Sequence, residues 1–200
     1  RDDLSCEEHD GIYVLDSINK KDNNIKSEIL KSNESKYLKP FFKNSDIFKY
    51  MTRLNSSKHI IYINKQTDNI EILPHIKKHL MKFKKIIDDA SDNAPYLHRP
   101  KTKKDFESEK IVVPQRSKSN IFGYNNTPWY ASADVYFITQ GDDDFNLKFI
   151  LSLLNSKLYY LWLYTNGKRK GNSLELYKIP LSEIPIKQIS PEQQKPFINL

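Results

Sequence analysis

The side chains with chemistry to offer gather in a few short segments. Arg116 and Lys118, followed by Asn125 and Asn126, lie in the stretch Lys110 to Tyr130. In a DNA major groove Arg grips guanine and Asn grips adenine bidentately, each pair discriminating by about 1–3 kcal/mol. Lys101, Lys103, Lys104 and Lys110 precede them, with charges suited to phosphate oxygens. A second basic tip, Lys168, Arg169, Lys170 and Asn172, follows Gly167 and brackets Gly171. The chemistry implied is the gripping of a polyanion and the reading of base edges, with no bond made or broken.

Sets that would break bonds are thin. Glu34-Ser-Lys36, with Asp22 upstream, matches the bare acidic-x-Lys element of many nucleases, but no Pro-Asp precedes it. A nuclease using Asp22, Glu34 and Lys36 is therefore the alternative enzyme reading, and a protein-interaction scaffold is the alternative without chemistry. His75 and His79 stand at i and i+4, a spacing two metal ligands can use, yet no Glu or Cys joins them. They read as surface or half-buried histidines, and no metal site is expected. Asp142-Asp143-Asp144 is explained more cheaply by Asp143 or Asp144 capping a helix than by a cation.

The five glycines form neither a GxGxxG nor a Walker A loop, so no nucleotide-cradling site is expected. Asn93-Ala-Pro-Tyr96 is superficially similar to the Asn-Pro-Pro-Tyr signature of amino-methyltransferases. Ala94 replaces one proline and no glycine-rich strand precedes it, which argues against methylation by this chain alone. Cys6 is the single cysteine, excluding an internal disulfide and a Cys-based zinc cluster and favouring a reducing, intracellular setting.

The net charge of +7 is unevenly spread. Residues 1–35 hold 5 basic and 9 acidic side chains (net −4), residues 36–126 hold 19 and 9 (net +10), and residues 127–200 hold 8 and 7 (net +1). A concentrated positive region attracts polyanions and gains from counterion release. With 38% apolar and 28% charged residues and no long apolar run, the chain reads as globular, with no membrane partner.

The elements that must position these residues follow from periodicity. Gly11–Leu15, His59–Ile63, Ile111–Val113 and Asp134–Thr139 read as strands. Ile72, Ile76, Leu80, Phe83 and Ile87 recur at helical spacing, with Lys77, Lys78, Lys82, Lys84 and Lys85 opposite. A later helix is expected to bury Leu147, Ile150, Leu151 and Leu154, pause at Asn155-Ser156, and resume through Leu158, Leu161 and Trp162. Asn166–Asn172 is expected to be a flexible basic loop and Tyr177–Pro185 an irregular strand. Strands and helices interleave without regular alternation, so the expected fold is one mixed α+β domain with a twisted, largely antiparallel sheet flanked by helices. Residues 1–187 are expected to form it, with 1–35 as a connecting piece and first strand. Residues 188–200 are expected to open a C-terminal helix, capped at Ser190-Pro191, of a longer protein.

The order of short segments resembles the TaqI-like C-terminal specificity domain, the target-recognition module of type IIG restriction–modification enzymes and adenine-N6 DNA methyltransferases. The matching pieces are Leu38-Lys-Pro40, Asp46-Ile47 with Tyr50, Pro74, His79-Leu80, Phe83-Lys84 and Tyr96-Leu-x-Arg-Pro100. Lys110-Ile-Val-x-Pro114, Phe122-x-Tyr124, Leu153-Leu-Asn-Ser-Lys157 and Ile184-Pro-Ile186 complete the series. The resemblance implies a non-catalytic module that binds double-stranded DNA and confers sequence specificity. It also implies a bacterial cytoplasmic setting and a methyltransferase domain on the same polypeptide. No cofactor is then expected in this chain; S-adenosylmethionine and magnesium would belong to the other domains. General DNA-contact roles are implied for Lys110 and for the segments 122–126 and 167–172.

Overall fold

The apolar run at residues 111–114 has no polar alternation, which calls for a strand covered on both faces. The computed structural model describes residues 11–64, 69–91, 103–141 and 145–198 and bears this out. In chain order the elements begin with β1 (Val14–Asp16), α1 (Lys20–Leu30), β2 (Leu38–Phe42), β3 (Ile47–Phe48), β4 (Tyr50–Thr52) and β5 (Lys58–Ile61). Next come α2 (Pro74–Met81), α3 (Lys84–Ser91), α4 (Lys103–Glu107), β6 (Lys110–Pro114), β7 (Arg116–Ser117), β8 (Gly123–Asn125), β9 (Tyr130–Ala131) and β10 (Val135–Thr139). The chain closes with α5 (Leu147–Leu154), α6 (Lys157–Thr165), β11 (Lys168–Lys170), β12 (Ser173–Glu175), α7 (Lys178–Ser182) and α8 (Pro191–Ile198).

The class is α+β, as the interspersed patterns imply. The strands divide among several sheets, and the chain forms two compact units, one from residues 1–41 and 55–102, the other from 42–54 and 103–200.

In the first unit β1, β5 and β2 pair antiparallel, with Val14 opposite Ile60 and Leu38 opposite Ile61. Leu15, Ile29, Ile61, Ile76 and Leu80 fill its core. Asn19 caps α1 by accepting from the backbone of Lys21 and Asp22. The helix expected from Ile72 to Ile87 is divided. Leu73 precedes a proline and so avoids helical geometry, and Ile72 is left exposed in a 3-10 turn. At the other end Lys82 N–H bonds to His79 O and Phe83 N–H to Leu80 O, tightening the turn that separates α2 from α3.

In the second unit the larger sheet has the order β10-β6-β8-β4-β3, antiparallel except for the parallel β4–β8 pair. All five β6 residues are buried. Ile111 and Val113 pack in the cluster of α5 and α6, with Leu151, Leu154 and Leu163. Val112 faces the other way, among Phe42, Ile47, Trp129 and Val135. Trp129 stacks on Phe42 at 4.7 Å between centroids and donates its indole N–H to Arg53 O.

Helix α5 is capped by Asn146, whose side chain accepts from Lys148 N–H, rather than by the aspartates at 143 or 144; Asp142–Asp144 lie outside the described residues. The expected break at Asn155-Ser156 is present, and Ser156 caps α6. That restart changes the helical phase. Tyr159 and Leu163 are buried, while Leu158 and Leu161, expected inside, are 70% and 58% exposed. The segment 177–185 contains helix α7 rather than a strand. Pro180 suits its first turn, where backbone N–H groups have no intrahelical partner. Ser190 and Gln193 exchange hydrogen bonds as a capping box at the start of α8.

Candidate nucleic-acid interface

The two basic segments separated in sequence meet on one small sheet. Gly171, at φ +58, turns the expected loop into a hairpin of β11 and β12, a left-handed conformation glycine adopts without cost. On its other side β12 pairs with β7. The register sets Lys168 opposite Glu175 and Glu175 opposite Arg116, so three strands place these side chains in one row. Strand alternation puts Lys170 on the same face, and Lys118 follows Arg116 by two residues. Arg116, Lys118, Lys168 and Lys170 are all exposed. The opposite face carries Leu174 into the core.

Glu175 is the buried anchor of this face. Arg116 donates from Nε to its Oε1 at 3.1 Å, and Lys168 Nζ stands 3.3 Å from its Oε2. Tyr177 OH donates to Oε1 at 2.9 Å and accepts from Arg116 Nη2 at 3.0 Å. Desolvation pushes the Glu175 carboxyl up. The hydrogen bonds of Tyr177, Lys168 and Arg116 and the Lys168 charge outweigh it and hold the group below the usual carboxylate range. The Arg116 guanidinium is correspondingly raised, chiefly by Tyr177 and then by Glu175. One carboxylate thus orients two cations whose heads stay in solvent.

The remaining sequence candidates separate clearly. Arg169 is exposed and lies over the Tyr164 ring of α6 at 4.2 Å, and Asn172 is exposed at the hairpin turn. Asn126 is exposed just after β8. Lys110 and Asn125 are corrected by the structure: both are buried, because they face each other across the central strands β6 and β8. Lys110 Nζ donates to Ser108 O and Thr127 O at 2.8 and 2.9 Å, and burial pushes its pKa down to about 8. The Asn125 amide donates to the Thr52 hydroxyl and accepts from Thr127 N–H. Neither side chain is free to touch a ligand. Lys103 and Lys104 open α4, with their side chains outside the described part, and Lys101 lies outside the described residues, as does Asn93–Tyr96.

The candidate nuclease residues are each occupied in structural contacts. Glu34 is buried and accepts from the backbone N–H groups of His75 and Ile76, capping α2 from a distance. Asp22 is buried and accepts from Asp16 N–H, while Lys36 lies over the Tyr37 ring. His79, buried more deeply than expected, bonds through Nε2 to Ile12 O, and burial pushes its pKa down. Among the described residues no group of three His, Cys, Asp or Glu side chains is placed to hold a metal ion. No described helix is long and apolar enough to cross a membrane.

The sequence matches the family profile of the TaqI-like C-terminal specificity domain over residues 39–186. The chain belongs to this family. It is 30% identical over 144 residues to the type II methyltransferase M.MjaIV of Methanocaldococcus jannaschii, covering 64% of this chain and 46% of the relative. Its fold is similar to part of the type IIL restriction–modification enzyme MmeI solved in complex with DNA (TM-score 0.61, 18% identity, 92% of this chain and 24% of that one). The chain therefore spans under half of the first protein and about a quarter of the second.

Two residues of this specificity domain escape a reading based on charge. Glu175 is acidic in a basic patch, and only the alternation Ser173-Leu-Glu-Leu176 after a glycine turn signals its strand. Asn155, in the family segment Leu153–Lys157, spans the α5–α6 break. Its amide donates to Phe122 O at 2.8 Å and accepts from Phe122 N–H at 3.1 Å, pinning the segment that leads into β8.

Proposed function

We propose that this TaqI-like specificity domain selects a duplex DNA sequence for a restriction–modification enzyme of the adenine-N6 methyltransferase or type IIG kind. The observation that supports it best is the set of cations on β7, the residue after it and β11, gathered on one face around Glu175 of β12. Arg116, Lys118, Lys168 and Lys170 take phosphate oxygens, while Asn126 and Asn172 are available for base edges; Arg169 turns to the other face, over Tyr164. A methyltransferase domain on the same polypeptide would flip the target base and supply the S-adenosylmethionine site, with magnesium needed only by a nuclease domain. The cytoplasm follows as the setting of such an enzyme.

Fluorescence anisotropy of a random-sequence duplex tests this. Affinity is expected to fall steeply with salt, the slope of log K against log salt being about −0.9 per neutralised phosphate. Binding indifferent to salt, or no binding by the full-length protein, would refute the reading.

A further inference from the structure

The second unit carries another surface that the cationic sheet does not use. Strands β3 and β4 form a tight hairpin whose large apolar side chains face solvent: Phe48 is 42%, Tyr50 50% and Met51 60% exposed. Tyr50 holds a left-handed backbone at φ +71, uncommon for any residue but glycine and a sign of strain kept in place by its surroundings. The clamps are visible. Tyr50 N–H bonds to Phe122 O at 2.8 Å, and Arg53 bonds through its N–H to Asp46 O and through Nε to the Asp46 carboxylate at 2.9 Å. Beneath, Gly123 lets β4 approach β8 closely, since a Cβ there would stand 2.7 Å from Met51 O.

Large exposed apolar patches mark binding surfaces, and here three large exposed side chains sit on one clamped hairpin. Here each ring carries a cation: Lys49 lies 5.8 Å from the Tyr50 centroid, and the Arg53 guanidinium 6.0 Å from that of Phe48. The register extends the row from Phe48 through Met51 to Tyr124, over which Lys148 lies at 5.7 Å. Apolar faces bordered by lysine and arginine suit nucleobases flanked by phosphates; a protein partner favours surfaces depleted of lysine.

Resting on the function proposed above, we infer that the β3–β4 hairpin is a second DNA-contact element. It sets Phe48, Tyr50 and Met51 against base faces at an unstacked step, with Lys49 and Arg53 on the neighbouring phosphates. Apolar wedges of this kind act where a duplex is kinked or a base is drawn out, and they favour steps already weakened.

The test uses the full-length protein and the double variant Phe48→Ser, Tyr50→Gly. Glycine keeps the positive φ, so the hairpin backbone is preserved. Two probes are titrated: a random-sequence duplex and the same duplex carrying one mismatched pair. The wild type should prefer the mismatched duplex. The variant should lose that preference and bind roughly 5- to 100-fold more weakly, with the salt slope unchanged. A variant that keeps the wild-type affinity and preference overturns the inference, leaving the cationic-sheet reading intact. So does a variant with unchanged DNA binding but impaired modification, which would assign the hairpin to a neighbouring protein domain. A wild type that binds neither duplex sinks both readings together.

Discussion

The Glu34 carboxylate lies 2.7 Å from His75 Nδ1 and accepts the His75 backbone N–H at 2.9 Å, so a residue of acidic-x-Lys type serves as a remote helix cap. Glu34→Ala should cost about 1–3 kcal/mol, because it leaves the first N–H groups of α2 without their acceptor. Glu34→Gln retains one acceptor oxygen and should recover part of that loss. Urea unfolding of both variants measures it. A stability equal to wild type in Glu34→Ala would show that the cap contributes nothing.

Glu175 neutralises part of the charge that Arg116 and Lys168 present. Glu175→Gln should therefore strengthen binding to random duplex several-fold at low salt and steepen its salt dependence. Arg116→Glu combined with Lys168→Glu should do the reverse, flattening the slope by about 0.9 for each phosphate no longer neutralised. Anisotropy titrations across a salt series decide between these outcomes and no change.

Lys110 gives a pH signature. Its folded pKa, pushed down to about 8 by burial, lies below the unfolded value near 10.5. The unfolded chain then binds more protons between these limits, so this residue's destabilising contribution is complete below pH 8 and relieved as pH rises toward 10.5. Tyr13 and Tyr124, both raised to about 12, act oppositely above pH 10 but are common to any comparison. The stability of wild type relative to Lys110→Met should rise across the window. A difference that is flat with pH would show that Lys110 is charged equally in both states. DNA affinity in Lys110→Met should match wild type at neutral pH.

Two glycines should fail for different reasons. Gly123→Ala forces a Cβ against Met51 O and Thr52 Cγ2, at 2.7 and 2.8 Å, and should cost about 1–3 kcal/mol by pushing β4 from β8. Gly171→Ala meets no atom within 4 Å, and only its positive φ resists, for about 1–2 kcal/mol. Thermal unfolding compares them, and DNA binding should suffer more in Gly171→Ala per unit of stability lost, since that turn carries the cations.

Much of the fold was legible wherever burial imposed a pattern. The run 111–113 is apolar because both its faces are covered, and Ile76, Leu80, Phe83 and Ile87 are buried at the spacing that exposes Lys78 and Lys82. The break between α2 and α3 was not legible, since it arises from two tightened hydrogen bonds that leave the apolar spacing intact. Among the candidate site residues, charge alone could not distinguish the exposed Arg116, Lys168 and Lys170 from the buried Lys110. Composition treats a lysine in a central strand and one on a sheet rim alike; only pairing partners tell them apart. The union of residues 116–118 with 168–175 is a long-range strand pairing, invisible to any local pattern.

The parallel contact of β4 with β8 has a consequence for synthesis. Residues 50–52 leave the ribosome long before residues 123–125, and everything from 55 to 102 belongs to the other unit. Until residue 123 arrives the oily hairpin has no neighbouring strand to hydrogen-bond, so a nascent or prematurely terminated chain displays a sticky, half-built edge. Transplanting the second unit between relatives would have to carry residues 42–54 as well as 103 onward, or the graft inherits that same orphaned edge.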